Sequence, residues 1–503
     1  MSDRYVAVID IGKTNKKVHI YSSSLELVDA RSTTLESVER DGVPWVDSEK
    51  LEEWVLDTLS AFSARYDVAV LAVATHGATF ACADERGDLA VPIVDYTYEP
   101  GDAFHERFYE LAGDKIELQR TTATLELGAL INIAQGVFFL QEHAPDAFAQ
   151  TKHVLFYPQY LSLRLTGEIS ADYTYAGCHT YLYDFGKRDY SSVADALGIR
   201  ALLPSEVRKP HEVLGRIDPA VAGRTGLSPD AVVTLGIHDS NASLLPYLIK
   251  KPDEDFILNS TGTWCVAMHP EDEVRFHESE LGKSVFYNLC AFGTPVKTSI
   301  LLGGLEFETY TTLLKQRFSM EQFPEFDPDI YRSIIKEKAE FILPAVVRGT
   351  GQFPDSPARV IDHGETFSLE EVQSGARVPE FFSNTRRAFA VLNLSLAVQT
   401  VVALERVGLR PGVTVYTEGG FRNNEDYNLL LAALVPDASF FLSGMPEATS
   451  FGAALTGLSA WQDAELSGLG DHFEIEQESV RSVELPGIDA YQAAFMQHLG
   501  SPS

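Results

Sequence analysis

Apolar positions along this chain follow two rhythms. Residues 5–11 (YVAVIDI) are a β-branched run that breaks at residues 12–17 and resumes over residues 18–21, the pattern of a hairpin. About 250 residues later the pattern returns: 255–259 reads as a strand, 260–263 (STGT) as a tight polar turn and 264–268 as the returning strand. So long a period suggests two copies of one unit facing each other; two unrelated hairpins in a large protein are the plainer alternative. Further strands are predicted over 68–75 and 90–94, and helices over 129–142 and 156–165. Residues 210–218 read as a loop and short strand, and Gly226-Leu227-Ser228-Pro229 as a helix N-terminus. The second half reads as a long amphipathic helix over 385–407, a strand over 412–417, helices over 424–435 and 448–459, and a last surface helix over 488–499. Strand and helix alternate, which places the chain in the α/β class.

At 503 residues the chain exceeds a single compact core, and the repeated hairpin divides it into domains 1–243 and 244–503. Seventy-two acidic against 40 basic residues give a formal charge of −32, which repels phosphate backbones and anionic lipid. Nucleic acid and membrane surfaces are therefore poor partners, and any anionic ligand needs local donors. A solubility surface explains the acidity more simply than a salt-adapted host. Cys82, Cys178, Cys265 and Cys290 are widely spaced, as expected of reduced, buried thiols and not of a zinc or disulfide framework. The opening MSDRYVAVIDIG has the look of neither a signal nor a transit peptide, and no apolar stretch approaches the ~20 residues of a membrane span. A cytoplasmic protein is the expectation, with a homodimer left open.

The candidate chemistry lies at the strand ends. Asp10-Ile11-Gly12-Lys13-Thr14-Asn15-Lys16-Lys17 delivers a carboxylate, a glycine, a hydroxyl, an amide and lysines, the parts that a phosphate and its Mg²⁺ require; an ordinary exposed turn is the alternative. Thr261, Gly262 and Thr263 in the second turn offer small donors that would face the first across a cleft, and Gly303-Gly304 either adds a backbone approach or marks a bend. Thr417-Glu418-Gly419-Gly420-Phe421-Arg422-Asn423-Asn424 would let a flat ring lie on the glycines with the asparagines bonding base or ribose, unless Asn424 is a plain helix cap. In Gly236-Ile237-His238-Asp239-Ser240, Asp239 is the candidate base for a substrate hydroxyl, with a helix N-cap as its bland alternative. A Ser-His-Asp hydrolase is excluded, because adjacent side chains in a strand point to opposite faces. Thr75-His76-Gly77-Ala78-Thr79, with Asp95, groups hydroxyl, imidazole and carboxylate in the way a polyhydroxylated ligand needs.

Taken in order, these segments resemble the FGGY carbohydrate kinases over nearly the whole chain. The resemblance implies two duplicated ribonuclease-H-like (actin-like ATPase) domains closing on ATP, Mg²⁺ and a small sugar. It implies that Asp239 deprotonates the sugar hydroxyl and that Asp10, with Asp239, holds the metal. ATP would meet Gly12, Thr14, Asn15, Lys16, Thr261, Gly262, Thr263, Gly303, Gly419, Gly420, Asn423 and Asn424. The sugar would meet Thr75, His76, Gly77, Thr79, Asp95, His238 and Asp239. His76-Gly77-Ala78-Thr79 is similar to xylulokinases and His238-Asp239 to rhamnulokinases and fuculokinases, so a ketose or deoxyketose of the L-fuculose, L-rhamnulose or xylulose type is implied. At Val94-Asp95-Tyr96-Thr97 the Trp and Arg of many members are missing, which leaves that wall of the pocket undefined. A non-catalytic sugar- or nucleotide-binding regulator and an actin-like ATPase are the competing readings on the same fold.

Overall fold

The computed structural model describes residues 4–347 and 349–499. Two sheets of seven strands dominate it. In the first, β1 (Arg4–Ile11), β2 (Asn15–Tyr21) and β3 (Leu27–Thr34) form an antiparallel meander. Strands β4 (Asp67–Thr75) and β6 (Val232–Thr234) add in parallel on the other side of β1, and β5 (Val213–Arg216) closes that edge antiparallel to β6. The seventh piece, Ile237–His238, runs beside the end of β4.

The second sheet repeats this plan. β7 (Phe256–Thr261), β8 (Cys265–Pro270) and β10 (Pro295–Leu301) are its meander, with β9 (Val285–Leu289) as an added edge. Strands β11 (Thr414–Gly419) and β12 (Ser439–Ser443) follow in parallel with β7, and β13 (Gln477–Ser479) closes antiparallel. Two hairpins that begin alike thus lead into one duplicated topology.

The central strands are buried on both faces, which explains their near-continuous apolar sequence. In β1, Ala7, Ile9 and Ile11 face the helix Ser48–Ser63, while Val6 and Val8 face the opposite layer. That layer is made of two helices, α1 (Asp239–Lys250) and α2 (Ala448–Gln462). Ala242 and Leu245 of α1 pack with the first sheet, and Leu244 and Tyr247 with the second. The two helices touch at the backbone, because a Cβ on Gly452 would lie 1.9 Å from the Ala242 carbonyl oxygen. Gly457 likewise lets α2 settle on Val6 and Ala72 of the first sheet.

Several expectations need correction. The first turn is only Gly12-Lys13-Thr14, since Asn15, Lys16 and Lys17 already belong to β2; Ser260 and Thr261 likewise belong to β7. Gly226 does not begin a helix but ends one: Asp218 caps Pro219–Thr225, and Gly226 terminates it with φ 73°. The 90–94 strand is reduced to Leu89–Val91. A division at 243/244 falls inside the continuous helix α1, which serves both sheets.

The helix predicted over 385–407 forms as Thr385–Arg406, but it is buried nearly all round and not amphipathic. It is also long and apolar enough to cross a membrane, which the sequence reading overlooked; 94% of that apolar stretch lies inside the molecule, so it is a core helix. Its polar residues are paired, Gln399 with Glu306 at 2.8 Å and Asn393 with Asn424 at 2.8 Å. The last helix, Ile488–Leu499, sinks Tyr491 and Phe495 against Phe341 and does not merely lie on the surface.

Candidate active site

The end of β1 places Asp10 between β2 and β4, opposite Lys17 on one side and Ala74 on the other, so the carboxyl is buried. Burial pushes its pKa up to about 7; Lys17 opposes the rise, while Asp239 and Glu447 add to it. Thr14 and Asn15 are exposed at the turn. Lys16, expected to meet phosphate, turns inward: its Nζ donates to the carbonyls of Gly12 (3.1 Å), Lys13 (2.6 Å) and Thr14 (3.4 Å). Burial, and then Lys13, lower it to about 8. Lys17 instead reaches across to Glu447, at the head of α2, at 2.6 Å.

Gly236 takes φ 102° where a Cβ would press on Pro158, and from there the chain passes His238 into α1. His238 occupies the N-cap and Asp239 the first helical position, so the bland N-cap alternative does not hold for Asp239. One oxygen of Asp239 accepts from the Ser240 N–H at 2.6 Å. Burial raises its pKa, against the pull of His76 and of the Ser240 bonds. With 30% of its side chain exposed, Asp239 opens into a cavity of about 320 Å³ that also meets Gly262 of the second half.

Three imidazoles line that cavity, His76, His179 and His238. His76 donates from Nδ1 to the Gly77 carbonyl at 2.9 Å, which leaves Nε2 as an acceptor, and burial lowers it to about 4. His238 accepts at Nδ1 from Asn241 (3.2 Å), so Nε2 carries the proton, 3.3 Å from Asp239 and 3.5 Å from Cys178. Ligand atoms of Cys178, His179 and His238 lie within 4.8 Å of one another, but this tautomer makes His238 a donor there and not a metal ligand. Burial lowers His238 to about 3, and burial with His238 alongside does the same to His179. Only glycine fits at residue 77, since a Cβ would sit 2.8 Å from His238 Nε2 and 3.0 Å from His179 Nε2.

The rest of the predicted sugar set is structural. Thr75 is fully buried, its hydroxyl on the His76 carbonyl at 3.1 Å, and lines neither of the two cavities near it. Thr79 is fully buried and faces a second cavity of about 310 Å³ in the first half. Asp95 lines that second cavity and is spent on Lys13, Ser37 and Thr97. Burial alone would raise its pKa, but those bonds outweigh it and hold the carboxylate at about 2. Sequence reasoning missed Tyr175, whose hydroxyl bonds the carbonyls of His76 (2.9 Å) and Thr79 (2.8 Å) and holds the segment around Ala78 at φ 63°. Contacts across some 100 residues leave no local signal.

In the second half Gly262 and Thr263 are exposed at the turn. Thr261 is not free to bind: its hydroxyl donates to the Glu418 carbonyl and accepts from the Phe421 N–H (2.9 Å). Gly303 packs on Cys265, Gly304 on the Gly262 carbonyl, and Gly419 on the Thr261 carbonyl, where a Cβ would come within 2.0 Å; these glycines admit chain against chain. Gly420 and Asn423 are exposed, whereas Asn424 caps the helix Glu425–Leu434 through the Tyr427 N–H (3.2 Å). Glu418 is buried and unforeseen: burial lifts it to about 7 against bonds from Ser260 and Tyr247, tying the second turn to α1.

The described geometry has recognisable relatives. Residues 5–246 match the family model for the FGGY family of carbohydrate kinases, N-terminal domain, and residues 253–465 that for the carbohydrate kinase FGGY, C-terminal domain. An L-fuculokinase of Escherichia coli is 26% identical over 282 residues, 53% of this chain but only 57% of that protein's length. A rhamnulokinase of Oceanobacillus iheyensis is 21% identical across 90% of this chain and 92% of its own. The crystal structure of a carbohydrate kinase from Novosphingobium aromaticivorans superimposes with a TM-score of 0.79 at 26% identity, covering 99% of both chains.

Proposed function

The chain belongs to the FGGY family of carbohydrate kinases, and from that premise we propose that it transfers the γ-phosphoryl group of ATP to a hydroxyl of a ketose or deoxyketose in the cytoplasm. The observation that carries the reading is Asp239, a carboxyl of raised pKa in a cavity that meets the second turn and is in electrostatic reach of Asp10 behind the first. The hydroxyl oxygen attacks the γ-phosphorus, its proton passes to Asp239, and the bond between that phosphorus and the β–γ bridging oxygen breaks to release ADP. Burial, by raising its pKa, makes Asp239 a stronger proton acceptor than an exposed carboxylate.

His76 Nε2 accepts from one sugar hydroxyl and the His238 Nε2–H donates to another oxygen, which orients the substrate. Because their imidazoles stay neutral, Asp239 is, among the described residues, the one negative group facing the sugar on that wall, and Lys13 its one cation. Thr263 in the second turn, exposed beside a Gly262 whose N–H is spent on the Trp264 carbonyl (3.0 Å), suits the triphosphate with Thr14 and Asn15 opposite, and Gly420 and Asn423 suit the adenosine.

Asp10, its pKa pushed up by burial and then by Asp239 and Glu447 against the pull of Lys17, offers with Asp239 hard oxygen donors that fit a divalent cation. Asp10 and Asp239 would hold Mg²⁺, which would supply charge neutralisation to the phosphates. The test is ADP release over L-fuculose, L-rhamnulose, D- and L-xylulose, ribulose, fructose, erythritol and glycerol. Turnover with a ketose that vanishes in Asp239→Asn supports the reading, and sugar-independent hydrolysis alone would sink it.

A further inference from the structure

Three lysines lie at or just after the first turn, and the two in β2 are committed elsewhere: Lys16 to the turn's own carbonyls and Lys17 to Glu447. Lys13 is different. It is the only lysine or arginine among the described residues lining the 320 Å³ cavity that holds Asp239 and Gly262. We propose that Lys13 is a further catalytic residue, the cation that meets the phosphoryl group in flight between ATP and the sugar; this rests on the kinase reading above.

Three observations support it. First, Lys13 is aimed: its ammonium pairs with Asp95 and lies 5.1 Å from the centre of the Tyr96 ring. Asp95 is in turn fixed by Ser37 and by the Thr97 N–H (3.0 Å) and hydroxyl (2.8 Å). Second, the pair is lopsided. Asp95 has 3% of its side chain exposed and Lys13 has 38%, so the anion is sealed away while the cation is presented. An ammonium has three donors, and one on Asp95 leaves two for phosphoryl oxygens. Third, the cavity needs the charge. Its other ionisable members are Asp239, the buried Cys178 thiol, the Tyr96 phenol and three imidazoles held neutral, in a chain of formal charge −32. As the phosphorus leaves the bridging oxygen for the sugar oxygen, charge spreads over its three equatorial oxygens. A donor placed there acts on the transition state more than on bound ATP.

The test is calorimetry on the full chain with MgADP and with MgADP–fluoroaluminate, a planar mimic of the group in transit. Wild type is expected to bind the mimic about 100-fold tighter than MgADP. In Lys13→Met that gain should fall to a few-fold with MgADP affinity unchanged and a lower melting temperature, since buried Asp95 loses its cation, and Lys13→Arg should recover part of both. Asp95→Asn, which keeps the cation and loosens its anchor, should lose about tenfold of the gain. An unchanged gain in Lys13→Met overturns the assignment, as does an equal loss for MgADP and mimic, which would make Lys13 a ground-state phosphate contact. Absence of any gain in wild type would instead remove the kinase reading on which the proposal stands.

Discussion

The two turns that open the two sheets sit on the same topology and have been put to opposite chemical uses. The first gathers charge: Asp10 is buried at a strand end, and Lys13, Lys16 and Lys17 are each held by a different partner. The second has no ionisable side chain in Gly262-Thr263-Trp264 and is made of close backbone, Gly304 on Gly262 and Gly419 on Thr261. A duplicated scaffold therefore carries one loop that gathers charge and one made of close-packed backbone. The difference follows from what each turn packs against. Charge can be placed where β1 meets polar partners, whereas two glycines in backbone contact leave no room for a side chain.

The sharpest way to break the comparison is to remove the base on the charged side. Asp239→Asn should fold normally and lose at least ~10³-fold in turnover, measured by coupled ADP release. On the packed side the damage should be to stability. Gly304→Ala and Gly419→Ala each force a Cβ to 2.0 Å from a carbonyl oxygen and should cost about 2–3 kcal/mol in denaturant unfolding.

Proton dependence of metal binding should belong to the charged side, while buried Glu418, also lifted to about 7, adds to the pH dependence of stability from the other. Mn²⁺ affinity, followed by electron paramagnetic resonance, should weaken as pH falls through about 7, because Asp10 takes up a proton there. Lys17→Met should move that midpoint upward, since Lys17 is what opposes the rise. The same pKa has a stability sign. Asp10 binds its proton more tightly folded than unfolded, so the stability it contributes is complete at low pH and lost as pH rises toward about 7. The metal-free protein should accordingly melt at lower temperature at pH 7 than at pH 5, and Asp10→Asn should flatten that slope. Smallest of all, Thr261→Ser should change neither stability nor MgADP affinity by more than ~0.5 kcal/mol, because the hydroxyl is kept in its bonds to Glu418 and Phe421.

Much of this frame was legible in the sequence because strand burial writes itself into apolar runs. Residues 5–11 and 255–259 announced both hairpins, and the spacing of the small residues found both turns. What failed were features set by distant partners. Lys16 reads as a phosphate ligand until one sees its stem buried and its ammonium on its own loop. Thr261, Gly303 and Gly419 have the composition of a ligand loop, yet their hydroxyl and missing side chains serve neighbouring strands. The segment 385–407 reads as an amphipathic helix, and only the fold supplies Asn424 and Glu306 to pair its buried Asn393 and Gln399. Tyr175 and the role of Glu418 went unnoticed for the same reason, their partners lying 99 and 171 positions away, and the Asp95 that anchors Lys13 lies 82 positions from it.

The contact of α2 with the first sheet bears on how the chain is made. Val6, Val70 and Ala72 are synthesised long before Gly457 and its neighbours, which cover them. A ribosome that has finished the first sheet, Asp239 included, still displays one apolar face of it, and α1 still lacks the helix whose backbone it meets at Ala242. The surroundings of Asp239 are therefore completed only once α2 has emerged, and a product that stops short of α2 holds the carboxyl without the helix that α1 packs on.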